Sequence, residues 1–200
     1  MKKLLLATNN RGKIKEIKYI LKDLPFSFLS LKDVGITSLK EESGKSFEEN
    51  ALQKAKEIGD KTGFLSFADD SGLEIESLGG KPGIHSARYI PGSDRDRLNK
   101  VISEMKGMSI KKRGARFVSV VAIYDPRSKK EYSFRGEAYG YITAKPQGEN
   151  GFGYDPIFFS KELGKTFGQA TDKEKALVSH RARAIQKCKR LLIDNASSFC

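Results

Sequence analysis

The sequence predicts an α/β fold, a mixed β-sheet flanked by helices. Two observations carry that expectation. Strand and helix patterns alternate through the early part of the chain, and a long pair of β-rich segments joined by a short polar turn comes later. No linker separates two independent domains, so the 200 residues are read as one domain, 1–200.

The elements follow in order. Lys3 to Thr8, KLLLAT, reads as the first strand. NNRGK follows, and Ile14, Ile17, Leu21 and Leu24 then recur at helical spacing. Phe26 to Leu31, FSFLSL, reads as a second strand. Ser46 and Glu49 have capping-box spacing and open a helix with Phe47, Ala51, Ala55 and Ile58 on one face, and Gly63 ends it. In SFADDSGLEI, Ser66 to Ile75, an apolar approach leads into Asp69 and Asp70, and Ser71-Gly72 is expected to turn the chain. Ser77 to Tyr89 carries Gly-Gly and Pro-Gly and is expected to form an ordered loop or short turns.

Helical spacing returns from Ser93 to Lys106 through Leu98, Val101, Ile102 and Met105. Ala115 to Asp125 and Glu131 to Ile142 are rich in β-branched and aromatic residues, and PRSKK between them predicts a long hairpin. Pro146 to Pro156 is glycine-rich. Thr171 and Glu174 repeat the capping-box spacing, and a helix carrying Ala184, Ile185, Cys188, Leu191 and Leu192 follows.

Composition narrows the function classes. Apolar residues make up 38% and charged residues 31%, ordinary for a soluble protein. No apolar run reaches the roughly 18 residues of a membrane span. The basic pair and short apolar run at the start read as a strand, not a signal peptide, which points to the cytoplasm. Cys188 and Cys200 have neither CxxC spacing nor a His cluster around them, which argues against zinc and against a disulfide framework. The 37 Lys and Arg against 25 Asp and Glu give a net charge of +12 and favour anionic partners, nucleic acid or phosphorylated small molecules.

Four stretches could carry chemistry. TNNRGK, Thr8 to Lys13, lies between a strand and a helix, where unpaired backbone N–H groups bind anions. It lacks Walker spacing, and taken by itself it reads first as an Asn-capped helix start. Asp69-Asp70 fits a turn closing a strand, or a hard-metal site with a general base, to which Glu41 or Glu42 could add a ligand. Two adjacent strand side chains diverge unless the strand has already turned. GFGYDP, Gly151 to Pro156, offers aromatic faces and the Asp155 acceptor, or a packed hairpin loop. EKALVSHRARA, Glu174 to Ala184, places Lys175, His180 and Arg181 near a helix junction with Ser179 as a possible cap, or forms a solvated basic face.

Taken together in chain order, LLLATNNRGKIKEI, SFEENALQKAK, FADDSGLEIESLGGKPGIHSARY, GFGYDPIF and EKALVSHRARA closely resemble the inosine/xanthosine triphosphate pyrophosphatase family, from Leu4 to about Leu192. The resemblance implies an elongated mixed sheet with two lobes, an active-site cleft between them, and a homodimer. It implies Mg²⁺-dependent hydrolysis of non-standard purine nucleoside triphosphates, ITP, dITP and XTP, to the monophosphate and pyrophosphate. Such an activity cleanses the nucleotide pool, and neither nucleic acid nor a membrane is a partner.

By the same resemblance Asp70 is the proton acceptor and a metal ligand, with Asp69 and Glu41 as further metal ligands. Thr8, Asn9, Asn10, Arg11, Gly12 and Lys13 hold phosphates, and Ser71 contacts substrate. Phe152, Gly153, Tyr154, Asp155, Lys175, His180 and Arg181 form the nucleotide pocket, where His180 and Arg181 are aimed at O6 of the base. One departure is His85, where an aromatic such as Tyr is expected. Two alternatives compete: a septum-formation-inhibitor type of triphosphate pyrophosphatase, and a nucleic-acid-binding module explained by the +12 charge.

Overall fold

The computed structural model describes residues 2–195 and Phe199. The expectation for Cys200 lies outside the described residues, and Cys188 is a buried free thiol. The strands are β1 (Lys2–Leu6), β2 (Phe26–Ser30), β3 (Ser66–Ile75), β4 (Gly114–Asp125), β5 (Lys130–Ile142), β6 (Phe158–Ser160) and β7 (Lys165–Thr166). They form one sheet in the order β2-β1-β3-β4-β5-β6-β7. β1 pairs parallel with β2 and β3, whereas β6 pairs antiparallel with β5 and β7, so the sheet is mixed. The helices are α1 (Arg11–Leu21), α2 (Phe47–Thr62), α3 (Asp94–Glu104), α4 (Asp172–Val178) and α5 (His180–Asp194). No described helix is long and apolar enough to cross a membrane.

The chain divides into two compact units. The first comprises Met1–Asp70, Ser119–Gly136 and Arg181–Cys200; the second comprises Ser71–Val118 and Glu137–His180.

Local sequence accounts for the elements of the first unit. Asn10 caps α1 by accepting from the Lys13 N–H at 3.0 Å. Ser46 caps α2 by accepting from the Glu49 N–H at 3.1 Å, and Gly63 closes it with a left-handed φ of 72°. The expected reciprocal half of that capping box lands one residue earlier, where Glu49 accepts from the Lys45 N–H at 2.7 Å. Alternation on β3 sorts the two faces. Ser66 donates to the Ala55 carbonyl of α2 at 2.6 Å, and Asp70 meets α2 again. Asp69 points the other way, toward α1 and α5. α1 and α5 are tied together by Arg181 to Glu16 and by Lys189 to the Ile20 carbonyl at 3.3 Å.

The second unit has its own core. Leu73, Ile75, Leu98, Val101, Met105, Phe117, Ile142, Ile157, Phe158 and Phe167 are buried in one cluster. Ser93 and Asp96 cap α3 reciprocally, as Thr171 and Glu174 cap α4. Arg113 is buried and donates to the carbonyls of Met105, Ile142 and Thr143 at 2.9, 2.5 and 2.7 Å, tying the end of α3 to the end of β5. The stretch from Ser77 to Tyr89 forms short 3₁₀ turns, Glu76–Leu78 and Gly83–Arg88, with His85 exposed.

Candidate active site

β1 ends at Leu6, opposite Phe67 of β3. The chain then passes through Ala7 to Asn10 and enters α1, so Asp69 and Asp70 lie just beyond the parallel β1–β3 pairing. Crevices beyond the carboxyl ends of parallel strands are where α/β proteins bind ligands. Thr8 is buried and its Oγ1 accepts from the Asn10 N–H at 3.2 Å. Asn9, Asn10 and Arg11 are exposed, and Gly12 and Lys13 are half-buried. The first turn of α1 carries no acidic residue, whereas α2, α3 and α4 each carry two. The positive end of the α1 dipole is therefore not neutralised by its own sequence.

The sequence reading expected Ser71-Gly72 to turn the chain after the aspartates. Instead β3 runs straight through to Ile75. The apolar alternation resumes at Leu73 and Ile75, both fully buried, which keeps the segment extended. As a result the two carboxylates face opposite ways and have different surroundings.

Asp69 is buried. Its Oδ1 lies 2.5 Å from Lys13 Nζ, and its Oδ2 accepts from Ser119 Oγ at 2.6 Å and from Arg181 Nε at 3.4 Å. Burial alone would push its carboxyl up, but Arg181 and Lys13 outweigh it and hold the group well below the usual carboxylate range. Burial also pulls the Lys13 ammonium below its ordinary value, with Asp69 opposing.

Asp70 accepts from Asn50 Nδ2 at 3.1 Å on one oxygen and from Lys54 Nζ at 3.2 Å on the other. Lys54 Nζ also donates to Glu42 at 2.7 Å and to the Asp69 carbonyl at 2.9 Å. Burial pushes the Asp70 carboxyl above its ordinary value; Lys54 opposes that and Glu42 adds to it. For Lys54 itself burial favours the neutral amine, but Asp70 and Glu42 reverse the balance and keep it charged.

Glu42, from the loop before α2, and Asp70, from β3, thus converge on one positive centre. Hard divalent cations take such oxygen donors, and Mg²⁺ in particular is held by one or two carboxylates, with waters and substrate phosphates completing its shell. The donor set fits Mg²⁺ on those terms. Among the described residues no group of three or more His, Cys, Asp or Glu is arranged to hold a metal alone. A cavity of about 380 Å³ beside α2 is lined by Glu41, Glu42, Asn50, Gln53, Lys54 and Glu57, among others.

Asn50, Lys54, Ser119 and Glu16 were not singled out from the sequence. A signal for two of them was present. Asn50 and Lys54 fall at helical spacing within the Phe47, Ala51, Ala55, Ile58 stripe, and polar residues on a buried stripe need partners.

Arg181 was expected at the base. It is 2% exposed, and its guanidinium is engaged by carboxylates, by Glu16 at 2.5 Å and by Asp69 at 3.4 Å.

In the second unit, Asp155 is buried and pairs with Lys175 at 2.6 Å. The Phe152 N–H donates to the same carboxylate at 2.9 Å. A Cβ on Gly151, at φ 75°, would lie 2.1 Å from Asp155 Oδ2, so only glycine lets the loop wrap the carboxylate so closely. Lys175 Nζ stands 4.9 Å from the Phe152 ring centroid, and Gly153 is half-buried. Tyr154 was expected beside Phe152 as a stacking face. It is 5% exposed and donates to the Ser86 carbonyl at 2.9 Å, so Phe152 is the only ring of the pair left half-buried. His180 is buried and stacks on Phe117 at 4.5 Å between centroids. Ser71, half-buried, also belongs to this unit.

Fold and site together define an α/β protein whose parallel strands end in a basic helix N-terminus beside two oppositely directed strand carboxylates. The chain belongs to the Ham1 family, whose model matches residues 4–191. A Bacillus subtilis (strain 168) protein named dITP/XTP pyrophosphatase is 44% identical over 194 residues, covering 96% of this chain and 98% of its own. One of the same name from Geobacter sulfurreducens is 45% identical over 187 residues, covering 92% and 94%. The solved HAM1 protein from Coxiella burnetii superposes with a TM-score of 0.87 at 33% identity, covering 97% of this chain and all (100%) of its own. The Staphylococcus aureus Ham1 protein gives 0.85 at 36% identity, with the same coverage.

Proposed function

We propose that this chain hydrolyses non-standard purine nucleoside triphosphates, dITP, ITP and XTP, to the monophosphate and pyrophosphate, and so cleanses the nucleotide pool. The names of its close relatives support the substrate class. The observation that supports the chemistry is the contrast on β3, with Asp69 among Lys13, Arg181 and Ser119 and its neighbour Asp70 between Asn50 and Lys54.

Water is activated by Asp70, whose carboxylate takes the proton as the water oxygen attacks the α-phosphorus and pyrophosphate leaves. Burial raises the Asp70 carboxyl, which makes it a stronger base than an exposed aspartate. Asn50 and Lys54, one bond to each oxygen, fix the plane of the carboxylate. Thr8 to Lys13 and the α1 N-terminus hold the departing phosphates, and positioning and charge account for most of the rate. Asp70 and Glu42, with Glu41 on the same cavity, would hold Mg²⁺. When bound, Mg²⁺ would neutralise charge on the phosphates.

For the base, we assign Phe152 as the stacking face and Gly153, Asp155, Lys175 and His180 as the pocket, with Ser71 contacting substrate. A donor aimed at a 6-oxo group meets a donor when adenine is bound, and a site built on such a bond rejects the mismatch by about 10⁴ or more. The working protein is a cytoplasmic homodimer in this reading, with no nucleic-acid partner.

A panel of nucleoside triphosphates with Mg²⁺ tests the assignment. Pyrophosphate release should be far faster with dITP, ITP and XTP than with ATP or GTP. Equal rates across the panel, or a preference for ATP, would refute it.

A further inference from the structure

We propose that Asp69 is a positioning residue and not a metal ligand: it holds Lys13 on the face of β3 opposite Asp70, with Ser119 fixing its own carboxylate. The inference rests on the pyrophosphatase reading above.

The geometry leaves Asp69 little capacity for a metal. Lys13 sits 2.5 Å from Oδ1, and Ser119 and Arg181 donate to Oδ2. The three donors come from α1, β4 and α5, so the carboxylate is enclosed by separate elements. A divalent cation at that point would face the Lys13 ammonium and the Arg181 guanidinium at contact distance. Asp70, one residue on, meets a single cation, Lys54, which it shares with a second carboxylate, Glu42, so negative charge outweighs positive there.

Lys13 explains why an anchor is needed. A lysine side chain has about 2 kcal/mol of rotamer entropy to lose, so an unanchored ammonium at a phosphate site is poorly placed. Lys13 is the third residue of α1, whose first turn has no acidic side chain to hold it. Asp69 supplies the fixed acceptor from the sheet. Ser119 is fully buried, and its hydroxyl orients Oδ2. Arg181 donates to Oδ2 as a second cation, and its own pairing with Glu16 keeps the group of two cations and two carboxylates neutral.

The experiment uses the full-length chain and Asp69→Asn, Ser119→Ala, Lys13→Ala and the Lys13→Ala/Asp69→Asn double variant. Three readouts are taken: Mn²⁺ affinity without nucleotide, the rate of amine labelling at Lys13 in the folded protein, and kcat/KM with dITP. In Asp69→Asn, Mn²⁺ affinity should stay within about twofold, Lys13 should label several-fold faster while Lys54 does not, and kcat/KM should fall about 10- to 150-fold, the worth of one charge-assisted bond. Ser119→Ala should shift the same readouts in the same direction by less, and it decides the matter if Asp69→Asn does not fold. In the Lys13→Ala background Asp69→Asn should cost little more, because the two act as one unit.

A tenfold or greater loss of Mn²⁺ affinity in Asp69→Asn would make Asp69 a ligand and overturn the proposal. Additive losses, or unchanged Lys13 labelling, would also overturn it. A wild type that turns over no nucleotide would refute the pyrophosphatase reading, while the Mn²⁺ and labelling results would still decide where Asp69 acts.

Discussion

Truncating Arg181 to alanine should cost about 3 kcal/mol of stability. The side chain is 2% exposed and serves two carboxylates, Glu16 at 2.5 Å and Asp69 at 3.4 Å. Removing one partner of a buried ion pair costs about 3–5 kcal/mol, because the other charge stays buried. Two features put this case at the low end. Asp69 keeps Lys13 and Ser119, and the Glu16 side chain is 17% exposed, so it can turn toward water. Arg181→Lys keeps the charge but loses the guanidinium fork, and should cost about half as much.

The pH dependence has a definite sign. The Asp69 carboxyl lies below its ordinary value in the folded protein, so its stabilising contribution is complete above its unfolded value of about 3.9 and is lost as pH falls through and below it. Arg181 helps to hold that carboxyl down and the unfolded state is common to both proteins, so the gap between wild type and Arg181→Ala should narrow once pH falls through the variant's own folded-state value and should not widen on the way. Urea unfolding of the wild type and both variants at pH 7 and pH 3.5 measures this, with the midpoint read at constant slope. A loss under about 1 kcal/mol for Arg181→Ala at pH 7, or a gap that widens in acid, would refute the network.

The other expected outcomes are more local. Asp70→Asn should stay folded by circular dichroism and lose about 10²–10⁴ in kcat, the worth of a positioned base; near-normal turnover would remove Asp70 from proton transfer. Gly59→Ala should lower the urea midpoint. Its Cβ would lie 2.5 Å from Tyr124 Cδ1 and 3.0 Å from Ser66 Oγ, and Tyr124 is pinned by its bond to Asp60 at 2.6 Å. The overpacking costs about 1–3 kcal/mol, and the helix-propensity gain of about 1 kcal/mol offsets only part of it; an equal or higher midpoint would contradict the packing. Glu174, held at about 2 by Lys165 and by the Thr171 cap, contributes above its ordinary value of 4.5 and less as pH falls toward 2. The thermal advantage of wild type over Glu174→Gln should therefore be constant above about pH 5.5 and vanish near pH 2; an advantage that grows in acid would be the wrong sign.

Much of the fold was legible because its signals are local. Asn10, Ser46, Ser93 and Thr171 cap helices through their own side chains, and Gly63 ends α2 with a backbone few other residues adopt. β3 shows where local reading fails. Ser-Gly is turn chemistry in isolation, but burial of Leu73 and Ile75 and the bond from the Leu73 N–H to Ser86 Oγ at 2.8 Å keep the segment extended. That one difference separates Asp69 from Asp70, and with it the two halves of the site. The partners of each aspartate come from elements far apart in the chain, Ser119 on β4 and Lys54 on α2, and sequence spacing holds no information on which face they share. Tyr154 and Phe152 look alike in GFGYDP, and only the Ser86 carbonyl decides that the tyrosine is buried structure.

The claim that water attacks the α-phosphorus is tested most directly by isotope. dITP is turned over in ¹⁸O-labelled water with Mg²⁺, and both products are weighed by mass spectrometry. The account requires one labelled oxygen in the monophosphate and none in pyrophosphate. Label in the pyrophosphate, or a diphosphate and orthophosphate as the first products, would contradict it.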